Sequence, residues 1–332
     1  MAKKNGEGNL SRRGFLIGAA AGAAALSGLR IVAERDAQLR VRDYAPNDLV
    51  PGLAIIHGGA GNGDERSVVT KMTRRAIEAL GGMSKLVTGG ETVVIKPNMA
   101  WVWGPPMATN TNPWVVAALV EMCLEAGAGR VRVMDNTISK DPSKSYEASG
   151  VARAADEAGA EVPYVDRSQA VELPIPDAFA VDRWPFCQEF INADLCDVLI
   201  NVPILKDHGT SRLSIGLKNA FGMIAGDRGQ LHRRIHEKIP DLHRVIKVDL
   251  TVMDCYRVLR THGPTGGTLE DVDSSREGAR RVVASTDPVA VDSYGAHMFG
   301  YGPDEIGFVR NAAEAGRGVA DWQSLDVTET EV

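Results

Sequence analysis

Short apolar runs alternate with longer segments of helical periodicity over most of the chain. Predicted strands cover Gly52–Ile56, Thr92–Ile95, Arg130–Met134, Glu161–Val165, Asp197–Leu205, Leu250–Met253, Arg281–Ser285 and Gln323–Val327. Predicted helices cover Asp64–Leu80, Pro113–Ala126, Tyr146–Ala158, Glu189–Asp194, Ser211–Ile224, Val289–Met298 and Glu305–Ala315. This alternation predicts an α/β fold whose mostly parallel sheet is covered by helices on both faces. A proline-richer stretch at 168–185 interrupts the rhythm, so one domain and two lobes with a boundary near 168–187 both remain open.

The first residues follow the pattern of an export signal. Basic residues come first, then S-R-R-G-F-L at Ser11–Leu16, then the apolar, alanine- and glycine-rich stretch Ile17–Leu26. This order is typical of a twin-arginine signal peptide. We therefore expect a signal at 1–27, a polar leader at 28–51 and the α/β domain at 52–332.

The signal predicts where the protein acts and one of its partners. We expect a periplasmic or extracellular protein that meets the twin-arginine translocase during export. A cut before Gly28 and retention as an uncleaved membrane tether both remain open. Because the apolar stretch is interrupted by Ser27, Gly28 and Arg30, it is too short for a permanent membrane span, which needs about 20 apolar residues.

Composition excludes several classes of protein. A net charge of -6 and an aromatic content of 5% argue against nucleic-acid binding. The four cysteines contain no C-x-x-C pair, so we expect neither a zinc ribbon nor an iron–sulfur cluster. A disulfide between Cys187 and Cys196, the pair nearest in sequence, remains open for an exported protein.

Polar residues directly follow several predicted strands. In an open parallel sheet, ligands bind beyond the carboxyl ends of the strands. The candidates there are Lys96, Asn98, Asp135, Asp254 and Asp287. We expect these residues to bind a ligand. Asp254 or Asp287 would instead hold a lysine or a metal.

The densest group of candidates lies between Asn201 and Gly222. Lys206 and His208 are two residues apart in an extended segment, so both project to the same side, and Lys218 and Asn219 follow on a predicted helix. These groups can bind a carboxylate or phosphate, hold a cofactor or relay protons. The alternative is a structural network in which the lysines pair with buried aspartates.

His232 and His236 give a weaker signal. They are four residues apart and would share a helical face, as in some metal sites. Neighbouring basic residues indicate a solvated helix instead, so the metal remains unknown.

Four motifs together resemble the family called domain of unknown function 362. They are V-V-I-K-P-N (Val93–Asn98), A-D-L-C-D-V-L-I-N-V-P-I-L-K-D-H (Ala193–His208), G-L-K-N-A-F-G (Gly216–Gly222) and T-D-P-V-A-V-D (Thr286–Asp292). The resemblance implies an α/β fold but no established activity. Many relatives carry a ferredoxin-like cysteine cluster that this chain lacks, so again no iron–sulfur cluster is expected.

A looser similarity is to the lactate racemase group, which has a lysine ten positions after a histidine, as do His208 and Lys218. In that group the lysine anchors a nickel-pincer nucleotide and a histidine moves protons. As a second hypothesis, the similarity implies a metal or nucleotide-derived cofactor anchored by Lys218.

The leading hypothesis is an exported enzyme that acts on a small anionic metabolite, with a cofactor inserted before export. Lys206, His208 and Lys218 would be its catalytic residues. An oxidoreductase and an isomerase both remain open. The alternatives are a non-catalytic protein that binds an anionic ligand and a racemase- or epimerase-like enzyme with a lysine-anchored metal cofactor.

Overall fold

A ten-stranded mixed sheet is the centre of the computed structural model, which describes residues 39–45, 47–59 and 63–332. The predicted signal peptide at 1–27 lies outside the described residues. Residues Val41–Val332 form one compact unit, and the proposed lobe boundary near 168–187 falls within it. No helix in the described ranges is both long and apolar enough to cross a bilayer.

The strands, in chain order, are β1 (Leu53–His57), β2 (Thr92–Pro97), β3 (Arg130–Val133), β4 (Val171–Pro174), β5 (Arg183–Phe186), β6 (Val198–Val202), β7 (Ile204–His208), β8 (Arg212–Ser214), β9 (Leu250–Leu259), β10 (Val272–Asp273), β11 (Arg281–Ser285) and β12 (Val327–Glu331). The α-helices are α1 (Glu65–Ala79), α2 (Pro113–Glu125), α3 (Pro142–Ser149), α4 (Val151–Glu157), α5 (Gln188–Ile191), α6 (Gly216–Asn219), α7 (Ile235–Leu242), α8 (Pro288–Met298) and α9 (Gly307–Glu314). Short 3-10 helices lie at Met83–Lys85, Pro105–Met107, Arg167–Gln169, Ala220–Met223, Arg228–His232, Leu269–Asp271, Pro303–Glu305 and Trp322–Ser324.

The main path through the sheet runs β12-β1-β11-β9-β6-β2-β3. β2, β3, β6 and β9 pair in parallel, as do β1 and β12, whereas β11 is antiparallel to both β1 and β9. The predicted α/β fold with a mostly parallel sheet is therefore confirmed, with an antiparallel strand inserted near one edge. β4 and β5 form a separate two-stranded sheet.

Hydrophobic cores lie on both faces of the sheet. Side chains alternate across a strand, and β1 shows the consequence. Ala54 and Ile56 belong to the core under α1 and α2, whereas Leu53 and Ile55 belong to the core under α8 and α9. Because both faces are buried, the central strands are apolar throughout rather than alternating with polar residues.

The connections place a crevice between β2 and β6. β2 continues through α2 to β3 on one side, whereas β6 is followed by β9 on the other side. The strand order therefore reverses between β2 and β6, which is where open α/β sheets bind ligands. Lys96 on β2 is the register partner of Asn201 on β6, so the predicted polar strand ends meet at this point.

The predicted strand Asp197–Leu205 is two strands, because Pro203 cannot donate a hydrogen bond to the ladder. β6 pairs with β2, whereas β7 pairs with the distal half of the long strand β9. The break turns the chain toward the crevice.

The predicted helix Ser211–Ile224 is wrong over its first half. Arg212–Ser214 pairs antiparallel with β7 as a hairpin strand, and helical structure begins only at Gly216. The tight turn through Gly209 brings the chain back onto β7, and this long-range pairing overrides the local helical periodicity.

Three smaller predictions also differ from the structure. Glu161–Val165 makes only an isolated bridge from Glu161 to Arg132. The predicted helix Tyr146–Ala158 is interrupted at Gly150, whose φ of 71° ends α3. The last strand begins at Val327 rather than Gln323.

The four cysteines are buried free thiols, so Cys187 and Cys196 form no disulfide.

Candidate functional site

A cavity of about 520 Å³ opens at the carboxyl ends of β2, β6 and β7. Its polar lining includes seven of the predicted site residues, Lys96, Asn98, Asp135, Lys206, His208, Lys218 and Asn219. His232, Arg228 and Asp227 complete the charged or titratable part of the wall, and Trp101, Ile204, Ile215 and Phe221 are among its apolar members. The structure thus brings together residues that are up to 168 positions apart, from Lys96 to Pro264.

Lys96 and Asp135 form a buried ion pair at the base of this wall. Lys96 Nζ lies 2.9 Å from Asp135 Oδ1 and also donates to the Pro97 carbonyl at 2.7 Å and to Asn219 Oδ1 at 2.8 Å. Asp135 Oδ2 accepts from the Met99 N–H at 2.7 Å. Burial lowers the pKa of Lys96, and the charge of Asp135 counteracts that effect. Lys96 Nζ therefore has three oxygen partners within the protein, one carboxylate and two hydrogen-bond acceptors.

Three asparagines connect the strand ends to α6. Asn98 Nδ2 donates to Asn219 Oδ1 at 3.0 Å, and Asn219 Nδ2 donates to Asn201 Oδ1 at 2.8 Å. Asn201 Nδ2 in turn donates to the Gly216 carbonyl at 2.9 Å. Since each amide uses both its donor and its acceptor within the chain, the network fixes the position of α6 against β2 and β6.

Lys206 is fully buried and has neutral acceptors. Its Nζ donates to Asn98 Oδ1 at 3.1 Å and to the Thr109 carbonyl. Burial, followed by the nearby charge of Lys218, lowers its pKa well below the usual value. The charge of Asp135 offsets only part of this effect, so an anion that enters the cavity stabilises the protonated form of Lys206.

His208 is held as a neutral ring. Its Nδ1 accepts from the Thr210 and Ser211 N–H groups at 3.1 and 3.3 Å. Burial, with the charge of Lys218 as the next contribution, lowers the pKa of His208 to about 3. A neutral imidazole whose Nδ1 accepts hydrogen bonds carries its proton on Nε2. His208 can therefore donate a hydrogen bond through Nε2 near neutral pH, but cannot accept a proton there.

Lys218 differs from the other two cavity lysines. Among the described residues, none accepts a hydrogen bond from Lys218 Nζ or forms an ion pair with it. The Phe221 ring lies beside the amine, with 5.4 Å between Nζ and the ring centroid. Burial lowers the pKa of Lys218 to about 7. The side chain is thus an amine that changes charge near neutral pH.

Arg228 and His232 come from the loop beyond α6. Arg228 donates only to backbone carbonyls, those of Asn136 at 2.6 Å, Phe221 at 2.9 Å and Thr137 at 2.7 Å. His232 Nδ1 lies 3.3 Å from the Arg228 carbonyl and must donate to it, so its neutral ring leaves Nε2 as an acceptor. The rings of His208 and His232 stack with centroids 6.0 Å apart.

Basic side chains outnumber carboxylates in the wall of the cavity. Lys96, Lys206, Lys218 and Arg228 face two carboxylates, Asp135 and Asp227. Only Lys96 among these four cations forms an ion pair with a carboxylate in the described part of the chain. Asp227 is exposed at the mouth and accepts from the Gly229 N–H. This arrangement suits a small anion.

Asp254 and Asp287, predicted at the site, do not line the cavity. Asp254 accepts from the N–H groups of Asn112 and Tyr256, at 2.8 and 2.9 Å, and burial raises its pKa to about 6. Asp287 caps α8 and also accepts from the Val319 N–H at 2.8 Å. These carboxylates accept hydrogen bonds from backbone N–H groups outside this cavity.

Asp292 was not predicted, yet it supports the site. Its carboxyl oxygens accept from the Gly216 and Leu217 N–H groups at 2.6 and 2.9 Å. These are the first residues of α6, so Asp292 holds the start of the helix that carries Lys218 and Asn219. A Cβ on Gly216 would lie 2.6 Å from Asp292 Oδ1, which explains why glycine begins the helix.

His236 does not join His232. The helix containing His236 begins at Ile235, after Arg234 in the left-handed region with a φ of 59°, so the spacing of four residues does not place both histidines on one helical face. His236 stacks on Phe308 with centroids 6.0 Å apart. No group of three His, Cys, Asp or Glu residues in the described ranges is arranged to hold a metal ion.

Sequence reasoning missed Asn201, Arg228 and Asp292 as site residues. Asn201 has a visible signal, because it is polar within a strand that is otherwise apolar. Arg228 lies in a charged loop with no distinguishing spacing. Asp292 belongs to the T-D-P-V-A-V-D motif, but its contact with α6 depends on tertiary packing.

Comparisons with known proteins place these residues in a family. The chain is similar to the thylakoid-associated protein sll1697 of Synechocystis sp., at 29% identity over 213 residues that span 60% of this chain and 62% of that protein. It therefore covers less than two thirds of the relative's length. A solved structure of a protein from Thermotoga maritima aligns with 76% of this chain and 60% of its own chain, at 10% identity and a TM-score of 0.40. The family model described as domain of unknown function (DUF362) matches residues 93–297, which include every cavity residue discussed above, and the chain belongs to this family.

Proposed function

We propose that this protein is an exported enzyme that binds a small anionic metabolite in the cavity and transforms it there. The observation that carries the proposal is the grouping of Lys206, Lys218 and Arg228 on one wall without carboxylate partners among the described residues. Lys206 is buried, and Lys218 and Arg228 are partly buried. Cations in this state favour an anionic ligand over a neutral one. The location outside the cytoplasm rests on the S-R-R-G-F-L segment alone.

Each polar group in the cavity has a distinct part in this proposal. Lys206 and Arg228 attract the anion, and the Nε2–H of His208 orients it by a hydrogen bond. Lys218 is the reactive group, because an amine with a pKa of about 7 is available as a base or a nucleophile near neutral pH. Lys96 and Asn219 hold α6 in place and so position Lys218.

The residues present fit some cofactors better than others. If a metal bound His208 at Nε2, the ring proton would move to Nδ1, which already faces two backbone N–H donors. His208 therefore does not fit a metal ligand, whose other nitrogen normally donates a hydrogen bond. A group attached covalently to Lys218 does fit its unpaired amine. Such a group would be inserted before export, which is the racemase-like form of the proposal.

Turnover separates the enzyme from a non-catalytic binding protein. The full-length protein, Lys218→Met and the exposed control Lys85→Met would be incubated with a panel of small carboxylates and phosphates, and products followed by NMR. We expect at least one substrate to be converted by the wild type and by Lys85→Met, but not by Lys218→Met. Saturable binding without conversion of any panel member would instead support the binding protein. Native mass spectrometry of the same sample detects a group attached before purification.

A further inference from the structure

The three lysines of the cavity differ in the number of oxygen atoms that can accept hydrogen bonds from Nζ or pair with it. Lys96 Nζ has three oxygen partners, including the Asp135 carboxylate. Lys206 Nζ has two, Asn98 Oδ1 and the Thr109 carbonyl. Lys218 Nζ has no oxygen partner among the described residues, and an aromatic ring lies beside it. A protonated ammonium needs acceptors that a neutral amine does not.

The electrostatic surroundings of Lys218 also favour the neutral amine. The charge of Lys218 lowers the pKa of Lys206, so the two amines are close enough to repel when both are protonated, and no carboxylate among the described residues forms an ion pair with Lys218. Burial and a neighbouring cation are the two features that activate lysine as a nucleophile toward carbonyl carbon. The lowered pKa of Lys218, about 7, agrees with this geometry.

The groups around the Lys218 amine are suited to bind the carboxylate and the carbonyl oxygen of an anion that contains both. Lys206 lies on the same wall, and the protonated form of its amine is stabilised when a carboxylate binds directly next to the reacting carbon. The Nε2–H of His208 supplies a donor for a carbonyl oxygen, and His232 Nε2 supplies an acceptor for a proton. Donor, acceptor and amine thus line one cavity of about 520 Å³, which has room for a small molecule.

We propose that Lys218 forms a Schiff base with the carbonyl carbon of a small 2-oxo acid, whose carboxylate is held by Lys206. This inference rests on the proposed function and names its class of substrate.

The step balances without any further reagent. The Lys218 nitrogen lone pair forms a bond to the carbonyl carbon while the carbonyl π electrons move to oxygen, which accepts a hydrogen bond from His208. One nitrogen proton moves to that oxygen by way of His232, giving a neutral carbinolamine. The carbon–oxygen bond then breaks, the second nitrogen proton leaves with the oxygen, and one water and one imine result. No electron is gained or lost from the reacting pair.

Borohydride trapping tests this step on the full-length protein. The protein is incubated with pyruvate at neutral pH and reduced with sodium borohydride, and the modified lysines are located by peptide mass spectrometry. The neutral ketone dihydroxyacetone serves as the matched probe, and pyruvate binding is measured separately by calorimetry. Mapping the wild type identifies the lysine even if a variant fails to fold. Lys218→Arg and Lys206→Met are the two variants. Arginine keeps a long basic side chain at position 218 but has no nucleophilic amine.

We expect a reduced pyruvate adduct on Lys218, at a level roughly a hundredfold above that on exposed lysines, because at neutral pH far more of a lysine with a pKa near 7 is uncharged. Lys218→Arg should lose the adduct, and Lys206→Met should lose trapping of pyruvate more than trapping of dihydroxyacetone. Pyruvate binding without an adduct, an adduct spread equally over surface lysines, or a Lys218 already modified on purification would overturn the Schiff base while leaving the anion site intact. Absence of both binding and adduct would overturn the proposed function itself.

Discussion

Replacing Asp135 by asparagine removes the carboxylate that pairs with Lys96. The side chains of Lys96 and Asp135 are only 1% and 2% exposed, and their charged atoms are 2.9 Å apart. Asparagine keeps the shape and can still accept from the Met99 N–H through its oxygen, but it leaves the Lys96 charge uncompensated. Breaking a buried pair in this way costs about 3–5 kcal/mol. We therefore expect Asp135→Asn to lower the free energy of unfolding by that amount.

Urea unfolding followed by circular dichroism measures this change. The matched control is Asp141→Asn, an exposed helix cap for which asparagine is as suitable as aspartate, so its change should stay within about 0.5 kcal/mol. The double variant Lys96→Met/Asp135→Asn should be destabilised by clearly less than the sum of the two single variants. The reasoning would be refuted if Asp135→Asn cost under about 1 kcal/mol, or if the two single changes added to within about 0.5 kcal/mol.

Three further predictions concern other parts of the molecule. Gly222→Ala should lower the free energy of unfolding by about 1–3 kcal/mol, because the added Cβ would lie 2.0 Å from Asp135 Oδ1 and 2.6 Å from Lys96 Nζ. The control is Gly89→Ala, whose added Cβ would have no atom within 4 Å, and equal urea midpoints for the two variants would contradict the predicted clash. Burial raises the pKa of Asp292 to about 8, above the usual value near 3.9 in an unfolded chain, so its contribution to stability is complete below about pH 4 and declines as the pH rises to about 8. In Asp292→Asn, the free energy of unfolding in urea should therefore depend less on pH across that window, and a pH profile equal to that of the wild type would argue against this assignment. Replacing Arg12 and Arg13 by lysine should retain the protein in the cytoplasm on cell fractionation, and unaltered export would reject the twin-arginine signal.

The sequence located the edge of the site because that edge follows from topology. Parallel strands present their carboxyl ends together, so Lys96, Asp135 and Lys206 could be predicted as neighbours from the apolar runs that precede them. Lys218 and Asn219 were also predicted at the site, although the helix assigned to them begins five residues too early. The hairpin Ile204–Ser214 depends on pairing between strands, which helical periodicity cannot reveal.

The chemical states of the residues could not be predicted in the same way. Lys96 and Lys218 have the same side chain, and only the three-dimensional distribution of acceptors makes one a structural cation and the other an unpaired amine. His208 was predicted as an acid–base group, yet the backbone donors at Thr210 and Ser211 restrict it to donating a hydrogen bond. Asp254 and Asp287 also follow strands, but backbone N–H groups outside the cavity engage them.

The claim that this cavity binds a small anion is tested most directly by calorimetric titration of the full-length protein with pyruvate, oxalate and inorganic phosphate. We expect saturable binding of at least one of these probes, weakened in Lys206→Met by roughly tenfold to a hundredfold, the equivalent of one hydrogen bond to a charged group. Lys85→Met, which removes an exposed lysine outside the cavity, should bind as the wild type does. Absence of saturable binding for all three anions, or equal affinity in Lys206→Met and the wild type, would contradict the account.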